Sequence, residues 1–314
     1  MDIAEKRVYE TSAGRSRLAV ATAQGLAVVG ISADVIGEFG LALRDPVRDV
    51  AALGDGRVLA ATPEDLLVVA LGADRVAETV GTVPTDAGPT DAVTITGDAV
   101  IAAGADGAVR RAPMASVLDA APAADSGSAT AVAWRAIGEA DVRAAGGRLL
   151  AAADGVYRVD TDAIEHVGLD DVRDVAAPGG VEAVGPFAAT ADGLFRLGPG
   201  WVEEREGPFD VVAAAGESAS AAGEPTADGE QRVHAASGKD LLARTDDGWT
   251  STDWPARAPV AGIAYGTGDD AAGAEGTPPT FAVAADGTVL ADAGDGWRTR
   301  SIGLPDVAAC AIVR

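Results

Sequence analysis

Lysine is almost missing from this chain of 314 residues: it occurs only at Lys6 and Lys239. Acids outnumber Lys plus Arg by 48 to 24, for a net charge of −24. No basic stripe is present, and Arg110-Arg111 and the pair Arg298 and Arg300 stand isolated. Nucleic acid is therefore not an expected partner, since neutralising phosphates needs clustered Lys or Arg. Acid excess with so little lysine suits a cytoplasm at molar salt, where the screening length falls to about 3 Å and self-repulsion is tolerated. Cysteine is limited to Cys310, which forbids an internal disulfide and agrees with a reducing compartment. The two histidines, His166 and His234, lie far apart and without a motif, so a zinc site is not expected. No run of eighteen apolar residues exists to span a membrane. The segment Met1 to Arg7 lacks the apolar core of a secretory leader, and a cytoplasmic location is expected. Aromatics make up only 4% of the chain, so the core must be built from Ala, Val and Leu.

What is present is repetition. A module returns about every 40 to 48 residues. It reads Asp-Val-small-small, a spacer, a small-residue strand, an Asp-Gly turn and an apolar strand. Asp141-Val142-Arg143-Ala144-Ala145, Leu149 to Ala153, Asp154-Gly155 and Val156 to Val159 form the cleanest copy. Asp174-Val175-Ala176-Ala177, Phe187 to Thr190, Asp192-Gly193 and Leu194 to Leu197 form the second. The turn recurs at Gln24-Gly25, Glu64-Asp65, Asp106-Gly107, Asp154-Gly155, Asp192-Gly193, Gly238-Lys239 and Asp286-Gly287, seven times in all. Tight hairpins favour Gly there for its access to positive φ. Only Met114 to Ala121 has the pattern of a helix, and a short one.

Radially stacked four-stranded units of this kind make a β-propeller. The spacing predicts an all-β fold and one domain over residues 1–314, a seven-bladed β-propeller. The motif that starts each first strand appears once more at Asp306-Val307, after which the chain ends at Arg314 without another blade. The first turn correspondingly has no such strand before it. Residues 307–313 are thus predicted to supply the innermost strand of the blade begun by Leu18 to Val29, sealing the ring and removing open edges.

Trp134, Trp201, Trp249 and Trp297 open the outermost segments, where a large aromatic at a fixed position fills the gap between blades. Ala243-Arg244-Thr245-Asp246-Asp247-Gly248-Trp249 and Ala291-Asp292-Ala293-Gly294-Asp295-Gly296-Trp297 resemble degenerate Asp boxes of the bacterial neuraminidase repeat. With the Asp-Val-Ala-Ala, Leu-Ala-Ala-Thr and Gly-Leu-Phe-Arg elements, the chain is similar to sortilin-like and photosystem-assembly-factor-like propellers. Over nearly its whole length it most resembles β-propeller proteins of haloarchaea. These motifs imply a fold rather than an activity. Neuraminidase chemistry needs an arginine triplet and a tyrosine nucleophile. Tyr157 occupies a packing position filled elsewhere by Phe195 and Leu67, and no such triplet stands out.

Topology places Asp49, Asp91, Asp141, Asp174, Asp210 and Asp306 at one mouth of the central channel as candidate binding residues. Such carboxylates either cap the turn into each strand by accepting a backbone N–H or hold Ca²⁺ or Mg²⁺. Arg48, Arg143 and Arg173 beside them favour the capping role, and no cofactor or metal is assigned. Insertions near 113–130, 216–231 and 266–279, rich in small and acidic residues, fall on the opposite face. His166 and His234 read as ordinary strand residues, and Cys310 as a small hydrophobe of the closing strand. No catalytic residue is assigned. The expected function is a monomeric, non-enzymatic binding or assembly scaffold with a protein partner. The alternative is a cation-dependent hydrolase or lyase at the Asp-rich mouth, with Asp174 and Asp49 among its ligands.

Overall fold

A computed structural model describes residues 15–32, 34–73, 75–120, 131–177, 185–215, 232–266 and 278–313. These build seven four-stranded antiparallel sheets arranged as blades. Blade 1 takes its inner strand, Val307–Val313, from the end of the chain, followed by Arg15–Thr22, Gly25–Ser32 and Val35–Leu43. The inner strands of blades 2 to 7 are Asp49–Gly54, Thr90–Thr96, Val142–Gly146, Val172–Ala176, Val211–Ala214 and Val260–Tyr265. Each inner strand touches those of both neighbouring blades, so the ring is continuous. The predicted closure is borne out: Arg17 to Thr22 pair antiparallel with Val313 to Val307.

Strand alternation explains how so few aromatics suffice. Successive side chains of a strand point to opposite faces of its sheet, so each blade feeds two interfaces. In strand Arg15–Thr22, Leu18 and Val20 join Phe281 and Val283 of blade 7. Ala19 and Ala21 of the same strand join Val50, Val58 and Ala60 of blade 2. Seven apolar clusters result, each lying between one pair of adjacent blades. Ala, Val and Leu allow this close packing of one sheet on the next. The expected short helix is present as Met114–Ala120, with Met114, Val117 and Ala120 buried under blade 3.

The second-to-third-strand turns share a local device. The hydroxyls of Thr22, Thr62 and Thr190 donate to the carbonyls of Gly25, Asp65 and Gly193, three residues on. The same oxygens accept the N–H groups of Gln24, Glu64 and Asp192. Gly25 also needs its missing side chain: its φ is +140°, and a Cβ there would lie 2.1 Å from the carbonyl oxygen of Leu43.

Candidate functional site

Inner strands are sheet edges, and their unpaired backbone groups require partners. Two of the six expected carboxylates supply them. Asp49 accepts the N–H of Val50 at 2.8 Å with one oxygen and that of Val93, on the next blade, at 2.8 Å with the other. Asp174 repeats this with Val175 and Val212, each at 2.9 Å. Each carboxylate therefore clips its own inner strand to the next. Burial pushes both up to about 7 against the opposing pull of their backbone hydrogen bonds, and the charge of Asp49 adds to the rise at Asp174. Cys310, on the inner strand of blade 1, is pushed up to about 12 by burial and by Asp49, so it remains an unreactive thiol near neutrality.

The single ring expected from sequence is split among three register positions. Asp49 and Asp174 stand opposite Ala61 and Ala189. Alanine, valine or glycine takes that place in the remaining blades, at Ala92, Ala144, Val211, Gly262 and Ala309. Asp91 and Asp210 fall one residue earlier, where Arg48, Arg143 and Arg173 sit in other blades. Asp141 and Asp306 fall three residues earlier and are exposed. The Asp-Val dipeptide occurs at different points of the inner strand: in Val172-Arg173-Asp174-Val175 it follows the bulge between Val172 and Asp174, whereas in Asp141-Val142-Arg143-Ala144 it precedes the bulge between Val142 and Ala144. The dipeptide alone therefore does not mark one register position, and the residue paired with the second strand has to be read from the ladder.

Two of the outer carboxylates, Asp91 and Asp210, are tied up between blades. Arg48 bonds Asp91, Arg143 bonds Asp171, and Arg173 bonds Asp210 at 2.6 Å, each pair joining neighbouring blades. Asp210 also accepts the N–H of Gly238 at 3.0 Å. Among the described residues no group of three or more His, Cys, Asp or Glu is arranged to hold a metal. Asp49 and Asp174 fit a hard cation poorly, since all four of their oxygens face backbone N–H donors.

A second polar cluster lies between blades 6 and 7, and sequence reasoning passed over it. His234 and Tyr265 meet at 2.9 Å through Nδ1 and the hydroxyl, which is also 3.0 Å from the carbonyl of Ala213. Arg232 lies 5.1 Å from the centre of the Tyr265 ring and donates to the carbonyls of Pro278 and Gly266 and to Thr280 Oγ1. Burial, followed by the Arg232 charge, lowers His234 to about 4, so its ring is neutral at pH 7. The Arg232-Val233-His234 alternation, which sends two polar side chains to one face of a buried strand, was the available signal. Tyr265 gave none, because its partner belongs to another blade.

The family described as Beta-prop_HVO_0234:-like, beta propeller, matches residues 2–313. The chain belongs to that family. No curated protein matches it. Among solved structures it is similar to a protein from Lactobacillus plantarum, with 11% identity, TM-score 0.57, and coverage of 96% of this chain and 100% of the other. A functionally unknown protein from Desulfotomaculum acetoxidans matches with 10% identity, TM-score 0.57, and coverage of 95% and 99%. A candidate 6-phosphogluconolactonase from Bacteroides uniformis matches with 12% identity, TM-score 0.57, and coverage of 96% and 100%. At such identities these likenesses speak for the propeller fold alone.

In this family member the four expected tryptophans all sit between blades. Trp134 Nε1 donates to the carbonyl of Thr85 at 2.8 Å, Trp201 to that of Val167 at 2.9 Å, and Trp249 to Glu204 at 2.7 Å. Each reaches the preceding blade. Trp297 packs edge-on against Trp254, their ring centres 6.2 Å apart. Asp292 accepts the N–H groups of Gly294 and Gly296, closing the turn that resembles an Asp box.

Proposed function

We propose that this propeller is a binding scaffold for a protein partner, and that the partner docks on the face that carries the long connections. The supporting observation is topological. The connection in blade 3 between Pro113 and Arg135 joins third to fourth strand. Those between Ala214 and Val233 in blade 6, and Tyr265 and Thr280 in blade 7, join first to second strand. In an antiparallel blade both connection types leave from the same end, so all three emerge on one face. Much of the three predicted insertions (121–130, 216–231 and 267–277) lies outside the described residues. Connections carried on a rigid ring are the usual place for recognition. The channel carboxylates, by contrast, are used to join inner strands. A halophilic cytoplasm and a monomeric state complete this reading, on the strength of the charge composition.

The test is affinity capture at molar salt with the wild type and with variants in which each insertion is shortened to a Gly-Ser link. A captured protein is then purified and its affinity measured. At least one shortened variant is expected to lose about tenfold or more in affinity, about 1.4 kcal/mol, with an unchanged circular dichroism spectrum. Equal affinity for all variants overturns the reading.

A further inference from the structure

Two positive charges stand side by side on the face that carries the long connections, which is unexpected in so acidic a chain. Arg111 and Arg135 are direct partners across the third and fourth strands of blade 3, Ala108–Pro113 and Arg135–Glu139. Cross-strand partners share one face of their sheet, with Cβ atoms about 4.5–5.5 Å apart. Here that face looks toward blade 4. Arg111 also stands opposite Ile101, which packs with Leu150 and Val159 of blade 4. Arg135 bonds Asp162, in the turn between the third and fourth strands of blade 4. Both arginines line a cleft of about 250 Å³ together with Pro113, Ala133 and Thr161.

Like charges directly opposite each other on a sheet are unfavourable, and the chain itself compensates them weakly. Arg111 reaches Asp98 at 3.3 Å through Nη2 alone, and Arg135 reaches Asp162 through Nη1 alone. Asp98 is 94% exposed and Asp162 63%, so water screens both pairs and they contribute little. Asp160, in the same turn as Asp162, is taken by the Thr161 N–H at 2.9 Å and by Arg148 at 3.4 Å. Among the described residues the remaining nitrogens of both guanidiniums have no acceptor. A carboxylate set between the two accepts from both at once, and covering it by a docked surface strengthens such charge-assisted bonds. Arginines that become enclosed on docking are recurrent anchors of protein interfaces.

From this geometry we infer that the partner docks by seating an acidic side chain, Asp or Glu, in the cleft between blades 3 and 4, where Arg111 and Arg135 hold it. The inference rests on the docking reading above and adds the chemistry of the partner at one point of that face.

Titration of the folded protein at one fixed ionic strength with N-acetyl-L-glutamate α-amide, whose one carboxylate is on the side chain, tests the cleft without a partner. The neutral N-acetyl-L-glutamine α-amide and inorganic phosphate are the comparison probes. In ¹⁵N-labelled protein the Nε–H signals of Arg111 and Arg135 should move together along one saturable curve with the glutamate probe, and stay in place with the glutamine probe. Arg135→Gln, at a side chain 63% exposed and so safe for folding, should weaken the binding seen at Arg111 about tenfold or more, the loss typical of a hydrogen bond to a charged group. Arg158→Gln, which breaks an ion pair with Glu165 on blade 4, should titrate as the wild type does. Absence of a saturable shift in folded wild type overturns the inference, as do equal shifts with the glutamate and glutamine probes. So does undiminished binding by Arg135→Gln, or binding of phosphate alone. Failure here is distinct from failure of the docking reading. A partner that tolerates every shortened insertion refutes the face, whereas one that needs an insertion but binds Arg135→Gln as tightly as the wild type refutes only the cleft.

Discussion

Asp49 and Asp174 make stability fall as pH rises through the weakly acidic range. Each is held at about 7 in the folded ring, against 3.8 for an unperturbed aspartate. Below about pH 4 both folded and unfolded chains carry the proton and no penalty exists. Between about 4 and 7 the folded ring keeps the proton that the unfolded chain has released, so stability declines by up to 1.4 kcal/mol per pH unit for each group. Above about 7 the decline ends, after a total of at most about 4 kcal/mol per carboxylate. Asp106 and Asp171, held below the usual carboxylate range by Arg110 and Arg143, act with the opposite sign and only at lower pH. Urea midpoints from pH 4.5 to 7.5 in molar salt isolate the effect, because salt screens the surface charges far more than the enclosed pair. The double variant Asp49→Asn, Asp174→Asn keeps the side-chain shape without the titration and should show a nearly flat profile. Equal slopes for the wild type and the double variant refute the reasoning.

Three further outcomes are expected. Removing residues 307–313 strips blade 1 of its inner strand and exposes edges on both sides of the gap, so cooperative thermal unfolding should be lost; adding the missing segment as a peptide should restore it. Gly25→Ala forces a side chain against the Leu43 carbonyl at a φ of +140° and should cost about 1–3 kcal/mol in urea unfolding, whereas Gly54→Ala, with open space around it despite a φ of +83°, should cost less. On dilution from molar to 0.1 M salt the screening length grows to about 10 Å, and the net charge of −24 should unfold the ring; an unchanged circular dichroism spectrum there removes the halophilic reading.

The number of blades, the closure by the last strand and the inter-blade tryptophans were legible in the sequence because each rests on a signal that repeats. Seven turns can be counted, an unpaired first-strand motif at Asp306-Val307 can be matched to a blade lacking one, and Trp134, Trp201 and Trp249 recur at the same place. The channel carboxylates were legible only in kind. Asp91, Asp174 and Asp306 look alike before Val or Ala-Val, but they enter the inner strand at different points, which only the pairing with the second strand reveals. The cluster of Arg232, His234 and Tyr265 left only the Arg232-Val233-His234 alternation as a trace. Its members come from two blades, and only their packing sets the Tyr265 hydroxyl beside an imidazole nitrogen of His234.

Local periodicity and turn chemistry thus determined by themselves that this chain forms a ring of seven sheets, since strand period and hairpin preference act within a few residues. Which carboxylates join inner strands and which thiol is shielded were decided by the tertiary structure. Those properties depend on distance and solvent access between residues that the chain holds some 30 to 50 positions apart.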